Sequence, residues 1–226
     1  MLDIALVAGG GIMRIRNAAY EWVRALAVFT DPATGEPRLA CGCRDRQVRI
    51  YDPLAGGEAL IVLEGHKSDV ISLASFTEPA TGALRVVTGS EDKTIRVWDA
   101  ETSGVLLVID VGESVKALAF FVDPATGAPR LACGCYDGKV RIVDPVAGGE
   151  ALVVLEGHMR EVRALTVFED PTTGRLRLAS GSRDRSVRVW DLAAGGAALF
   201  VLEGLSLIHI SEPTRRTPIS YAVFCL

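Results

Sequence analysis

Two sets of side chains in this sequence have the composition of a hydrolytic triad. Each set combines a histidine, a hydroxyl side chain and an aspartate at the same spacing: His66, Thr88 and Asp92, and then His158, Ser180 and Asp184. A histidine beside a carboxylate can activate a hydroxyl nucleophile, provided that substrate can reach the hydroxyl and an oxyanion hole lies near it. Both sets fall inside a phrase that the chain repeats. The sequence therefore favours a structural role for all six residues and predicts no catalytic residue.

Two Cys-Gly-Cys triplets, Cys41–Cys43 and Cys133–Cys135, raise the question of metal binding. Residues i and i+2 of a strand share a face, so each pair of thiols could converge on one ion. The triplets lie in alternate repeats, however, which makes a zinc site with four thiolates geometrically unfavourable. Their positions correspond to Thr88/Ser90 and Ser180/Ser182. We therefore interpret the cysteines as small buried substitutes for serine and predict no metal and no cofactor.

Arginines beside two of the repeated aspartates allow two interpretations. Arg44, Arg46, Arg183 and Arg185 could form a positive rim that binds acidic peptides or phosphate. They could equally be solvated turn residues. The second interpretation is favoured because Glu91 and Asp92 interrupt any ring of basic charge.

The elements that position these side chains are themselves repeated. The phrases CGCRDRQVRIYD, TGSEDKTIRVWD, CGCYDGKVRIVD and SGSRDRSVRVWD end at Asp52, Asp99, Asp144 and Asp191, in steps of 47, 45 and 47 residues. Between successive phrases lie short apolar segments, such as 70–76 and 105–110, separated by turns rich in Pro, Gly and Asp. Four such segments per period predict one four-stranded antiparallel blade of a radial β-repeat.

A longer period of 92 residues is superimposed on the shorter one. The segment that begins DPATGEPRLACGC returns as DPATGAPRLACGC, so the first and third repeats resemble each other more than they resemble the others. Duplication of a two-blade unit is the simplest explanation.

With these motifs in view, the chain resembles the WD40-repeat β-propellers over roughly residues 20–204. The resemblance rests on Gly-His, a turn aspartate 26 residues after the histidine, and Trp-Asp six residues later, at a fixed period. It implies a buried tetrad of Trp, Ser or Thr, His and Asp in each blade. Carried onto this sequence, the tetrads are Trp98, Thr88, His66 and Asp92 in the second blade, and Trp190, Ser180, His158 and Asp184 in the fourth.

The first and third blades depart from that pattern. Asp45 and Asp137 are retained, but the hydroxyl, the tryptophan and the histidine are replaced by Cys41, Tyr51 and Glu21 in one blade and by Cys133, Val143 and Glu113 in the other. We expect these blades to lack the network, to depend more on apolar packing and to be locally less stable.

The resemblance predicts an all-β, WD40-like propeller of four four-stranded blades that forms an incomplete, open ring. The expected divisions are 1–19 as the end of a preceding blade or an N-terminal strand, 20–64 as blade 1, 65–111 as blade 2, 112–156 as blade 3 and 157–204 as blade 4. A compact four-blade ring, or two copies joined together, are the alternatives.

Residues 205–226 have no repeat pattern, and LSLIHISEPTR and ISYAVFCL resemble the translation of a sequencing-library adapter. We expect this tail to be non-native and the protein to be a fragment of a longer propeller.

Composition narrows the class of protein. The chain has 226 residues, 49% of them hydrophobic, and its formal net charge of −4 argues against nucleic-acid binding. It has no uninterrupted apolar run of about 18 residues, and Asp3 near the start argues against a secretory signal, so we expect no membrane association. Nothing among the five cysteines suggests an oxidising compartment. We expect a cytoplasmic protein, with the nucleus still open.

The resemblance implies a non-catalytic scaffold that binds a protein or peptide on the top face of the propeller. By position in the family, the contacts come from residues before the turn aspartates and from the start of each blade: Trp22, Arg24, Arg44, Asp69, Glu91, Lys116, Tyr136, Glu161, Arg163 and Arg183. Trp22 and Tyr136 are the strongest candidates.

A regulatory or sensor array of a larger NTPase or kinase is the alternative. An enzyme within the propeller is disfavoured, because the sequence has no HExxH, GxSxG or phosphate-binding loop. The oligomeric state is open.

Overall fold

The computed structural model describes residues 5–8, 11–14, 22–193 and 195–204. Within these ranges the chain forms eighteen β-strands and no helix. The same ranges accordingly contain no helix long and apolar enough to cross a membrane. The predicted tail, 205–226, lies outside the described residues.

Two strands, β1 (Ala5–Ala8) and β2 (Gly11–Arg14), pair with each other as an antiparallel hairpin. Whether residues 1–19 complete a preceding blade stays a prediction, because most of that segment is outside the described residues. The remaining strands form four sheets, one for each predicted blade.

Each blade is a four-stranded antiparallel sheet in which the strands pair in chain order. Blade 1 contains β3 (Val23–Thr30), β4 (Pro37–Cys43), β5 (Val48–Tyr51) and β6 (Ile61–Leu63). Blade 2 contains β7 (Val70–Thr77), β8 (Leu84–Ser90), β9 (Thr94–Asp99) and β10 (Val105–Asp110). Blade 3 contains β11 (Val115–Val122), β12 (Pro129–Cys135), β13 (Val140–Val143) and β14 (Val153–Leu155). Blade 4 contains β15 (Val162–Glu169), β16 (Leu176–Ser182), β17 (Val187–Asp191) and β18 (Phe200–Leu202). The predicted all-β architecture is confirmed.

The repeated DPATG-type segments form the hairpins between the first two strands of each blade. In blade 1, Asp31 Oδ1 accepts a hydrogen bond from the Ala33 amide at 3.0 Å, and the Gly35 amide donates to the Asp31 carbonyl at 2.7 Å. Gly35 has φ +72°, a conformation that glycine adopts without steric cost. The short polar side chain and the glycine together explain why this segment reverses the chain.

The aspartate that ends each repeated phrase fixes the turn between the third and fourth strands, at the same end of the blade as the DPATG-type hairpin. Asp99 Oδ1 accepts hydrogen bonds from the amides of Glu101 and Thr102, which closes the turn before β10. Its other oxygen, Oδ2, accepts from Arg85 at 2.5 Å, a residue of the neighbouring strand β8. Asp144 binds Arg130 in the same way at 2.8 Å in blade 3. The aspartate therefore ties one turn to the strand beside it.

Among the described residues, three of the four core clusters join one blade to the next, and the fourth lies within blade 1. Ile50 and Leu63 of blade 1 pack with Val86 and Trp98 of blade 2. Equivalent clusters join blade 2 to blade 3 and blade 3 to blade 4. Each blade therefore needs a neighbour to bury its apolar faces, as expected for a repeat architecture.

Blade 4 leaves exposed an apolar face whose counterparts in the other blades are buried. Leu202 of β18 is 55% exposed, whereas Leu63 and Leu155, which occupy the same register in blades 1 and 3, are each 1% exposed. Phe168 of β15 is also exposed, although the equivalent Phe121 is buried. The four blades form an open arc, as predicted, and do not close into the compact four-blade ring that was the alternative.

Candidate functional site

The four predicted tetrad residues of blade 2 lie in one hydrogen-bonded chain. Trp98 Nε1 donates to Thr88 Oγ1 at 2.9 Å, Thr88 Oγ1 lies 2.6 Å from His66 Nε2, and His66 Nδ1 lies 2.9 Å from Asp92 Oδ2. A carboxylate only accepts, so His66 Nδ1 carries the proton that Asp92 receives. Nε2 of the neutral imidazole then accepts from the Thr88 hydroxyl, and all four polar groups are satisfied.

Blade 4 repeats the arrangement with serine in place of threonine. Trp190 Nε1 donates to Ser180 Oγ at 2.8 Å, Ser180 Oγ lies 2.8 Å from His158 Nε2, and His158 Nδ1 lies 2.9 Å from Asp184 Oδ2. The aspartate also accepts the backbone amide of Met159 at 2.9 Å. The network therefore ties the turn that holds Asp184 to the loop that leads into β15.

Burial determines the protonation state of the blade 2 network. Burial, with a smaller contribution from the charge of Arg96, lowers the pKa of His66 by more than the neighbouring Asp92 carboxylate raises it, which favours the neutral imidazole. Burial alone raises the pKa of Asp92, but hydrogen bonds from Thr94 Oγ1, the Lys67 amide and His66 lower it to about 2. The pair is therefore a neutral histidine hydrogen-bonded to an aspartate anion.

The same geometry does not suit nucleophilic catalysis. Thr88 and Ser180 are completely buried, and each hydroxyl already accepts an indole N–H. A nucleophile must be reachable by its substrate. The two triad-like sets therefore provide no accessible nucleophile.

Blades 1 and 3 fix their turn aspartates with arginine instead of histidine. In blade 3, the guanidinium of Arg141 donates to both oxygens of Asp137, at 2.7 and 3.1 Å. In blade 1, Arg49 donates to one oxygen of Asp45, Oδ2, and also to the side-chain carbonyl of Gln47. The histidine and tryptophan of the tetrad are missing from these blades, as the sequence indicates, but each turn aspartate keeps a half-buried cationic partner that the sequence analysis did not predict.

Glu113, the residue expected at the histidine position of blade 3, takes no part in the pair of Arg141 with Asp137. Glu113 lies 4.0 Å from Lys93, on the neighbouring blade, and does not approach Asp137 as a histidine would. Its counterpart Glu21 lies outside the described residues.

The four cysteines of the two triplets are buried and form no disulfide bond. Cys41 and Cys133 occupy the ladder position that Thr88 and Ser180 occupy in the other blades. Burial raises the pKa of Cys41 to about 12, so that thiol stays protonated near neutral pH. Among the described residues, no group of three or more His, Cys, Asp or Glu side chains could hold a metal ion.

The predicted partner-binding residues come together at the end of the blades that carries the turn aspartates. In every blade, the amide of the residue before that aspartate donates to the carbonyl of the residue before the first strand, at 3.0 Å. These pairs are Arg44 with Trp22, Glu91 with Asp69, Tyr136 with Ser114, and Arg183 with Glu161. A main-chain contact therefore holds two candidate positions side by side in each blade.

A third candidate position in each blade is set by a β-bulge. The register between the first two strands shifts after Val23, Val70, Val115 and Val162, and the extra residues are Arg24, Ile71, Lys116 and Arg163. A bulge frees one residue from the ladder and redirects its side chain. We define the turn-end surface as the twelve residues at these three positions: Trp22, Arg24, Arg44, Asp69, Ile71, Glu91, Ser114, Lys116, Tyr136, Glu161, Arg163 and Arg183.

Ion pairs connect this surface across the blades. Arg24 of blade 1 binds Asp69 of blade 2 at 3.3 Å, and Lys116 of blade 3 binds Glu91 of blade 2 at 2.7 Å. In blade 4, Glu161 is only 5% exposed and accepts hydrogen bonds from two arginines, Arg163 and Arg183. Burial raises the pKa of Glu161, but these two hydrogen bonds, together with the positive charges of Arg163 and Lys116, outweigh burial and lower the pKa.

Two aromatic side chains lie exposed on the turn-end surface. Trp22 is 61% exposed, and the guanidinium carbons of Arg24 and Arg44 lie 5.7 and 5.5 Å from the centre of its ring. Tyr136 is 58% exposed, with Lys116 Nζ 5.7 Å from its ring. Both contacts fall within the range of cation–π attraction.

Sequence reasoning missed the half-buried arginines that bind Asp45 and Asp137. A signal was present, because each repeated phrase carries an arginine at the same position: Arg49, Arg96, Arg141 and Arg188. In blade 2, where histidine binds the aspartate, Arg96 instead lies over Trp98 with its guanidinium carbon 5.9 Å from the ring centre. The arginine at this position of the repeat thus has two different environments, and the repeated sequence alone does not show which environment it takes in a given blade.

Two segments of the chain, residues 57–99 and 149–191, match the WD40 family, described as "WD domain, G-beta repeat". Each matched segment begins before the last strand of one blade and ends with the third strand of the next, and each contains one complete tetrad. No curated protein sequence matches the chain.

Proposed function

Because this chain belongs to the WD40-repeat family, whose repeats generally serve as protein-interaction scaffolds, we propose that it is a non-catalytic scaffold that binds a protein or peptide through the turn-end surface. The observation that carries the proposal is the pairing of one turn residue with one pre-strand residue in all four blades, next to a bulged side chain. Loops held on a rigid frame are where binding residues usually lie.

The networks beneath the surface support this proposal. The tetrads in blades 2 and 4, and the Asp–Arg pairs in blades 1 and 3, fix the four turns from inside. A surface whose side chains are already positioned loses less conformational entropy when a partner binds. In this proposal the tetrads have a structural role and act on binding only through the turns.

The two exposed aromatics provide the first test. We expect Trp22→Ala and Tyr136→Ala to weaken peptide binding by about tenfold or more without lowering the melting temperature, because exposed aromatics dominate interface energies. A random peptide library displayed on phage and selected on the full chain supplies the ligands, and fluorescence anisotropy measures their affinities.

The matched control is Leu54→Ala, which removes a highly exposed apolar side chain from a turn at the opposite end of blade 1. It should leave peptide affinity unchanged. If Leu54→Ala weakens binding as much as Trp22→Ala does, the binding surface is not the turn-end surface. If Trp22→Ala unfolds the protein, Trp22 belongs to the core.

We further propose that the exposed face of blade 4 receives another blade, so that the four blades are part of a larger propeller. The support is that the equivalent faces of blades 1 to 3 are each buried against the next blade. We also propose a cytoplasmic location, since the four described cysteines form no disulfide bond, as a reducing compartment favours.

A further inference from the structure

The turn-end surface carries a charge opposite to that of the chain. Its twelve positions hold five cationic residues (Arg24, Arg44, Lys116, Arg163 and Arg183) and three anionic ones (Asp69, Glu91 and Glu161), whereas the whole chain has a formal net charge of −4. A local positive surplus on an acidic protein is a feature of surface electrostatics rather than of composition.

The three carboxylates of this surface are already engaged by its own cations. Asp69 binds Arg24, Glu91 binds Lys116, and the largely buried Glu161 is shared by two arginines. Asp92, which the sequence suggested would interrupt the basic charge, has a side chain only 6% exposed and is hydrogen-bonded to His66. Glu91 and Asp92 therefore do not present free negative charge that would interrupt a positive rim.

The surplus of positive charge lies on blade 1 and blade 4. Among the described residues, Arg44 has no carboxylate within ion-pairing distance, and its guanidinium is held beside Trp22 instead. A cation–π contact orients the guanidinium without using its N–H donors. In blade 4, Arg163 and Arg183 share a single carboxylate, and both side chains are well exposed.

The turns add cations at a position where glycine would be free of strain. Arg46, Lys93 and Arg185 have φ values of +73°, +71° and +67°, and Gly138 occupies the equivalent position in blade 3. A positive φ costs free energy for any residue with a Cβ atom. Lys93 lies 4.0 Å from Glu113, whereas Arg46 and Arg185 follow the turn aspartates of blades 1 and 4 and add positive charge to those two blades.

From these observations we propose that the partner is an acidic peptide segment, bound by Arg24 and Arg44 around Trp22, with Arg163 and Arg183 as a second cationic contact. The inference rests on the proposed scaffold function and specifies the chemistry of its partner. Aspartate and glutamate carboxylates accept paired hydrogen bonds from guanidinium groups, and the apolar parts of the peptide can pack on the indole.

Three matched peptide pools test the inference on the full chain. Each pool contains fluorescent octapeptides with random flanks and four fixed central positions, which are Asp/Glu, Asn/Gln or Lys/Arg. We expect the acidic pool to bind about tenfold or more tightly than the Asn/Gln pool, and its affinity to fall as salt concentration rises. Arg44→Gln should weaken binding of the acidic pool alone.

Arg175→Gln is the matched control, because Arg175 is an exposed arginine near the opposite end of blade 4, 3.7 Å from Asp191. Loss of acidic binding in Arg44→Gln but not in Arg175→Gln supports the inference. Equal or tighter binding of the Asn/Gln or Lys/Arg pool, still lost in Trp22→Ala, overturns the acidic partner but keeps the scaffold function. Absence of Trp22-dependent binding in all three pools overturns both.

Discussion

At the scale of single residues, one hydroxyl group satisfies two buried neighbours. Thr88 Oγ1 accepts the indole N–H of Trp98 and donates to Nε2 of His66, and Ser180 does the same in blade 4. Each of these groups is costly to bury without a partner. The hydroxyl is therefore the central member of the tetrad, although it is the smallest.

Replacing Thr88 with valine tests this role, because valine keeps the shape and removes the hydroxyl. We expect Thr88→Val to lower the free energy of unfolding by about 2–4 kcal/mol, since both Trp98 Nε1 and His66 lose a buried partner. Thr88→Ser keeps the hydroxyl that blade 4 uses and should cost only about 1 kcal/mol for the missing methyl group. Chemical denaturation measures both. Equal costs for the two variants would contradict the assignment.

At the scale of the blade, much of the structure was predictable from the sequence, whereas the partner-binding positions stay a prediction. Apolar alternation and the DPATG-type turns located the four strands of each blade, and the Gly-His and Trp-Asp spacing identified the tetrad residues. These signals are local, so the sequence displays them directly.

The features that escaped prediction depend on registers and distances between strands. The bulge that frees Arg24 and Lys116 places two residues of the first strand opposite one residue of its partner. It cannot be recognised in the sequence, because the alternation of one strand does not reveal its register with the next. The pairing of Asp137 with Arg141 depends on which strands lie side by side and on how far a guanidinium reaches. Neither follows from periodicity.

Stability of blade 2 should depend on pH through its histidine. Burial lowers the pKa of His66 below its usual value of 6.5, so the unfolded chain takes up a proton more readily than the folded one as the pH falls below 6.5. The free energy of unfolding should therefore decrease from pH 7.5 to pH 5. A second loss should follow as the pH falls from 3.8 towards 2, the pKa of Asp92 in the fold.

Hydrogen exchange at pH 7.5 and pH 5, followed by mass spectrometry, separates the blades. Protection in β8 and β9 should fall at the lower pH, while β12 and β13 of blade 3, which carry no histidine, should change less. The variant His66→Gln removes the titrating group and should flatten the change in blade 2. A change in blade 3 as large as that in blade 2 would show that the histidine is not its source.

At the scale of the whole molecule, the exposed face of blade 4 governs behaviour in solution. Phe200 and Leu202 of β18 lie two residues apart on one face of the strand and are 65% and 55% exposed. Apolar faces of this kind mark sites of association or aggregation. The arc should therefore be less soluble than a closed ring of the same repeats.

We expect the full chain to self-associate, with a mass in light scattering that rises with concentration. The double change Phe200→Ser and Leu202→Ser should reduce association, because it removes apolar area from the open face. Val201→Ser, on the opposite face of the same strand, is the matched control and should have little effect. A concentration-independent monomer with a cooperative melt would contradict the open arc.

The arginine common to all four phrases has a consequence for how such repeats can change over time. In blades 1 and 3 it binds the turn aspartate, and in blades 2 and 4 it stands at the same register while histidine does so. A blade that loses its histidine by mutation thus still carries a cation of sufficient length to replace it. The histidine can therefore be substituted while the arginine still binds the turn aspartate. A propeller of this type can diversify one blade at a time.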